Sequence, residues 1–215
     1  MKTDTPDYTC FGPLNVQIRE DVRTLIKWGY EGARVKCRST SEEEPSITGY
    51  IRQAIQARLS APDCPDWGYL YSVHDDPPVE KEGRRGKARP RADIIIEAHF
   101  RGRPEYIFEA KRLRNKGYGV NRYIATDGMG CLIEGIYARR YDEAAMLGYV
   151  QSDTVEYWSE KVRLTIINSS SQLHLVGAQE NIQITSDFPL EWVSEHGRIS
   201  VGRNIKVHHI LLDFR

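Results

Sequence analysis

The chain has 215 residues, 40% of them hydrophobic and 28% charged, which are ordinary values for one globular domain with its own core. Collagen-like, coiled-coil and largely disordered classes are excluded, and no apolar run approaches the roughly 18–20 residues of a membrane span. Thirty Lys and Arg balance thirty Asp and Glu, so net charge alone points to no partner. The distribution is uneven. From Lys81 to Arg122, thirteen basic residues face five acidic ones, which leaves that stretch at +8 and the remainder at −8. Such an island suits a polyanion-facing surface, and equally a solvated, charge-rich hairpin.

Met1 to Cys10 is polar and lacks the basic-then-apolar pattern of a signal peptide. The four cysteines, Cys10, Cys37, Cys64 and Cys131, lie far apart with no C-x-x-C pair. A reducing cytoplasm is therefore expected, without a disulfide framework or zinc knuckle. Ile18, Val22, Leu25 and Ile26 predict a helix over 14–28 that stops at Gly29. Pro45 suits a first helical position, and Ile47, Tyr50, Ile51, Ala54 and Ile55 carry a second helix to about Leu59. Pro62 and Pro65 break it. Trp67–Val73 reads as a strand and His74–Pro90 as a loop. Arg91–Phe100 and Glu105–Ala110 read as a hairpin closed at Arg101-Gly102-Arg103-Pro104. Helical spacing returns over 120–139, with Asp127-Gly128 as a potential break. Ala145–Val150 reads as a strand, Val155–Ile166 as a helix, and Glu191–Arg198 and Asn204–Phe214 as strands. The order ααβββαβαββ predicts one α/β domain over 1–215, with a mixed central sheet flanked by helices.

The chemistry concentrates on the hairpin. Glu109 and Lys111 are two apart and so share a face of their strand. With the turn near residues 101–102, positions whose numbers add to about 203 oppose each other, and Asp93 with Glu109 falls within one of that. Two carboxylates and a lysine at the end of an apolar hairpin are costly unless a cation or a tight ion pair compensates them. Oxygen ligands alone suit Mg²⁺, which keeps several waters and takes one or two carboxylates plus substrate phosphate. Lys111 could then hold or deprotonate an attacking water, or offset charge on the phosphate. The plainer alternative is an ion pair of Glu109 with Lys111 or Arg112.

Asp93, followed after fifteen intervening residues by Glu109-Ala110-Lys111 on a hairpin behind an acid-headed helix, resembles the PD-(D/E)XK nuclease superfamily. That resemblance implies a restriction-endonuclease-like αβββαβ core over about 14–150, with an added C-terminal helix and strands over 151–215. By the same resemblance Asp93 and Glu109 bind Mg²⁺ (with Mn²⁺ as a substitute), Ala110 lends its backbone carbonyl, and Lys111 assists the water. The proline that usually precedes the Asp is absent, because Arg91-Ala92 stand there and Pro90 lies three residues earlier. Many members add a Glu from the first core helix. Glu43 and Glu44 are the candidates, and Glu44, just ahead of Pro45, matches better.

Arg84, Arg85, Lys87, Arg112, Arg114 and Lys116, with Tyr118 and Tyr123 interleaved downstream, are candidate phosphate-backbone contacts, or otherwise a solvated helix start. His196, His208 and His209 could contact phosphate or help a metal, but His208 and His209, as strand neighbours, cannot both line one site, and a structural or interface role is the expectation for them. No Walker loop, H-E-x-x-H or G-x-S-x-G occurs. The expected function is Mg²⁺-dependent hydrolysis of DNA phosphodiesters by a cytoplasmic enzyme. It would act alone, as a homo-oligomer, or as the effector subunit of a bacterial anti-phage defence complex. The rival expectation is a non-catalytic nucleic-acid-binding or assembly subunit on the same fold.

Overall fold

A computed structural model describes residues 12–78, 90–99 and 102–215, with the side chains of 12–15 left aside. Two helices come first, α1 (Gly12–Lys36) and α2 (Glu44–Leu59). A 3₁₀ turn over Asp66–Leu70 leads into β1 (Tyr71–Asp75), followed by β2 (Ile94–Ala98) and β3 (Glu105–Leu113). Two short helices, α3 (Val120–Tyr123) and α4 (Met129–Ile133), precede β4 (Glu143–Val150) and α5 (Val155–Asn168). The chain closes with β5 (Leu175–Asn181), β6 (Trp192–Arg198) and β7 (Arg203–Asp213).

The seven strands form one mixed sheet in the order β1-β2-β3-β4-β7-β6-β5. Its centre is parallel (β3 to β4, β4 to β7) and its flanks are antiparallel. One face carries Ile94, Phe108, Ala145 and Ile210, packed with Ile26, Ile47, Ile51 and Ile55 of α1 and α2. The other carries Ile107, Met146 and Val207, with Met129 and Leu132 of α4 and Trp158, Val162 and Ile166 of α5. The architecture is therefore mixed α/β. Among the described residues, no helix is long and apolar enough to cross a membrane, and Cys37, Cys64 and Cys131 are free thiols.

Several boundaries differ from the expected ones, each for a local reason. α1 runs through Gly29 to Lys36. Glycine serves there as a contact surface rather than a stop, since a Cβ on Gly32 would lie 2.4 Å from Ala54 Cβ and one on Gly29 2.6 Å from Ile51 Cγ2. Trp67 is not in a strand but in the 3₁₀ turn, stacked on Trp28 with ring centroids 5.3 Å apart. The 120–139 segment does break at Gly128, where the chain folds back so tightly that a Cβ would meet Tyr123 O at 2.5 Å. β5 was not expected at all. It is an edge strand, largely exposed, with a register shift between Val176 and Glu180, so it shows no alternation of apolar and polar residues.

The Gly32 contact gives a direct test of the α1–α2 packing. In Gly32→Ala the new methyl has no rotamer through which to escape, so the helices must separate. A net loss on the order of 1–3 kcal/mol is expected in urea unfolding, despite a helix-propensity gain of about 1 kcal/mol. A stabilised variant would show that the two helices are not in close contact there.

Candidate active site

The site arises where one strand outruns its neighbour. β2 begins at Ile94, opposite Phe108, and Glu97 lies opposite Glu105. Asp93 thus stands at the level of Glu109, as the sequence spacing requires. Beyond Phe108, β3 continues to Leu113 beside β4 only, with Lys111 opposite Gly148 and Leu113 opposite Val150. Among the described residues no strand satisfies its other edge, and two carboxylates take that role. Ala110 N donates to Asp93 Oδ2 at 2.6 Å, and Arg112 N donates to Glu44 Oε2 at 3.0 Å. Because the N–H and C=O of one residue point to the same side of a strand, the Ala110 carbonyl also faces this edge.

Lys111 Nζ occupies the space so enclosed. It donates to Glu109 Oε1 at 2.7 Å, Ala110 O at 2.8 Å and Glu44 Oε1 at 3.2 Å. The four residues expected at the centre, Glu44, Asp93, Glu109 and Lys111, are therefore together, and the Ala110 carbonyl is turned inward among them. Glu44, not Glu43, is the acid that α2 supplies. Its place at the first residue of α2, ahead of Pro45, aims it at β3.

The electrostatics are those of a crowded acidic pocket. Burial, with Asp93 adding to it, pushes the Glu109 carboxyl up to about 9 even though Lys111 works the other way. Burial likewise raises Asp93 to about 6 against the pull of Lys111 and the Ala110 amide. For Lys111, burial disfavours the ammonium, but Glu109, Glu44 and Asp93 outweigh it and hold its pKa above the usual range. Glu109 Oε2 is buried without a hydrogen-bond partner.

These features fit a small divalent cation. The donors are all oxygens, one of them is an unpartnered buried carboxylate oxygen, and the centre already holds positive charge. Among the described residues no three His, Cys, Asp or Glu side chains stand as a ready-made metal cage. The ammonium spaces its oxygens at 2.7 to 3.2 Å, wider than the about 2.0–2.1 Å that Mg²⁺ takes.

The proposed phosphate contacts fare unevenly. Arg84, Arg85 and Lys87 lie outside the described residues. Arg114 is half-buried, and Lys116 is exposed in the turn that follows β3. Arg112 is a correction. Its side chain is 4% exposed and points to the α2 side of the sheet, where Nη1 donates to Glu42 O at 3.1 Å and Nη2 pairs with Glu43 at 2.7 Å. Its guanidinium also lies 3.7 Å over the Tyr118 ring. A strand alternates its faces, so the neighbour of Lys111 could not share its surface.

The histidines are internal to the sheet. On one face, His208 Nδ1 lies 3.1 Å from Glu191, which is itself paired with buried Arg23 at 2.6 Å. On the other, a directed chain of hydrogen bonds can be read off. His196 Nδ1 faces Leu173 O at 2.7 Å, so that nitrogen carries the proton and Nε2 accepts from Ser194 Oγ at 2.7 Å. Ser194 Oγ then accepts from His209 Nε2 at 2.8 Å, and His209 Nδ1 accepts from Tyr123 at 3.0 Å. All three rings are buried and, chiefly through burial, held below the ordinary histidine pKa. They are neutral scaffold groups on β6 and β7, which β4 separates from β3 in the sheet. No protein-family model, curated protein or solved structure matches this chain.

An NMR titration tests the buried state of His208. Burial lowers its pKa from 6.5 to about 4 despite Glu191, so its ring resonances should move with a midpoint near that lower value. Between the two values the unfolded chain binds a proton that the folded one does not. The contribution to stability is thus complete above pH 6.5 and lost as pH falls toward 4. A midpoint at the ordinary value would place the ring in solvent.

Proposed function

We propose that the protein is a Mg²⁺-dependent nuclease of the PD-(D/E)XK type, with a restriction-endonuclease-like core, hydrolysing DNA phosphodiesters. The observation that carries this reading is the set of oxygens from Glu44, Glu109 and Ala110 gathered on one cationic centre beside Asp93, at a strand edge left open by its neighbour. Asp93, Glu109 and the Ala110 carbonyl would hold the metal, with Glu44 as a further acid. A bound divalent ion supplies charge neutralisation at a phosphoryl group and lowers the pKa of water.

The chain's own residues supply the rest. Asp93 and Glu44 are each fixed by one oxygen on a main-chain N–H of β3, and the second oxygen of Glu44 already accepts from Lys111 at the centre. Lys111 Nζ, already among these carboxylates, orients the attacking water or donates to the phosphate oxygen on which charge builds. The exposed Lys116 and half-buried Arg114, just past the end of β3, guide the backbone toward this edge. Support for a two-carboxylate-plus-lysine centre over the plain ion-pair alternative comes from Glu109 Oε2, a buried oxygen that an ion pair alone would have no reason to leave unpartnered.

Purified protein incubated with plasmid, linear duplex and single-stranded DNA should cleave in Mg²⁺ or Mn²⁺ and not in EDTA. Asp93→Ala, Glu109→Ala and Lys111→Ala should each abolish cleavage with far-UV circular dichroism unchanged, and the triple variant should be scarcely worse than any single one. Full activity in Glu109→Ala would end this reading. Binding without cleavage by the wild type would favour the non-catalytic subunit instead.

Affinity for duplex DNA should fall with salt at a log–log slope of about −0.9 per phosphate neutralised. Reversing Arg114 and Lys116 to Glu should weaken binding to all sequences alike and flatten the slope by roughly 0.9 for each phosphate that is no longer met. An unchanged slope would remove these two residues from the interface.

A further inference from the structure

We propose that Arg112 is a positioning residue that sets Glu44 against the metal centre, a role that rests on the metal-site reading above. Glu44 is the only one of the three acids carried by a helix rather than by the hairpin. Its placement depends on how the start of α2 is held against the end of β3. Arg112 makes three of the polar contacts of that junction, beside those of Lys111 and Gln151. Its main-chain N–H takes Glu44 Oε2 at 3.0 Å, which fixes the carboxylate and leaves Oε1 toward Lys111. Its guanidinium reaches past, to Glu42 O at 3.1 Å and Glu43 Oε2 at 2.7 Å, so both residues before Glu44 are tethered to the same side chain.

The N-terminus of α2 has no side-chain cap of its own, with Glu43 extended at the N-cap position. The arginine instead holds the chain just ahead of the helix, by donating to Glu42 O and pairing with Glu43. Gln151, at the end of β4, donates to the same Glu42 carbonyl at 2.8 Å. Tyr118 covers the guanidinium at 3.7 Å, and its chain position is pinned by the bridge between Arg114 and Tyr118. The planar fork meets the carbonyl through Nη1 and the carboxylate through Nη2 while its face lies against the Tyr118 ring, a combination that a lysine ammonium does not reproduce. A side chain this buried and this committed has no freedom to meet a phosphate. Its effect on the reaction passes through Glu44.

Calorimetric titration of Mn²⁺ into the full chain tests this in wild type, Arg112→Met, Arg112→Lys, Glu44→Gln and the Arg112→Met/Glu44→Gln double variant. Loss of a residue that orients a ligand should weaken Mn²⁺ binding by about 10-fold or more. In the Glu44→Gln background the same loss should add less than about twofold, because the ligand it positions is already gone. A merely structural role would give losses that multiply. Retained wild-type affinity in both Arg112 variants, or multiplying losses in the double variant, overturns the role while leaving the metal site standing. If Arg112→Met fails to fold, Arg112→Lys and Gln151→Leu carry the test, and unchanged affinity in both overturns it. No Mn²⁺ binding by the wild type overturns the metal-site reading and this role together.

Discussion

Three carboxylates can share a partly buried corner of a sheet only if positive charge sits among them, and in this protein that charge is the ammonium of Lys111. Its three short contacts, to Glu44, Glu109 and the Ala110 carbonyl, bring a helix start and a strand to one point. Asp93 adds a fourth element to the same field from the residue before β2. Removing water from such a group is costly for every charge in it, and the ammonium offsets only part of that cost. The upward displacement of both Asp93 and Glu109 reflects the remainder, since each acid holds its proton to a higher pH than an exposed carboxyl would. Sites that bind cations are often built so, with excess negative charge held in place by a scaffold strong enough to tolerate it.

The scaffold explains that tolerance. β3 is buried along nearly its whole length and is flanked by β4 in parallel register. α1 and α2 cover one face and the α4–α5 layer the other. Only the short edge beyond Phe108 is released from strand pairing, and the polar groups freed there are the ones the site uses. The backbone thus contributes twice. It supplies donors that orient two acids, and a carbonyl that joins them.

Much of this was legible in the sequence, and the reasons are physical. A strand pair separated by a short turn has a register that arithmetic can recover, so Asp93 and Glu109 could be placed at one level from their numbers. Helix periodicity found α2 and α5 because their buried stripes are regular. Arg112 could not be assigned correctly, because the alternation that separates it from Lys111 says which face it lies on but not what covers that face. The junction it makes with Glu42 and Glu43 spans about seventy residues of chain, and only packing reveals it. β5 left no trace because solvent lies against most of it. The helices over 120–139 were read as longer than they are, since apolar spacing survives in turns that pack against a core.

The adjacent histidines of β7 have a consequence for how the sheet assembles. His208 requires a carboxylate beside it on one face, and His209 requires a hydroxyl relay on the other. β7 lies between β4 and β6, where its apolar residues Ile205, Val207, Ile210, Leu211 and Leu212 would by themselves tolerate sliding. A displacement by one position would send each ring to the other face: in one direction Val207 takes the place of His208 beside Glu191 and Arg23, and in the other Ile210 takes the place of His209 beside Ser194. The dipeptide therefore works as a key cut on both sides, admitting the strand in one alignment and penalising its neighbours by charge as well as by shape.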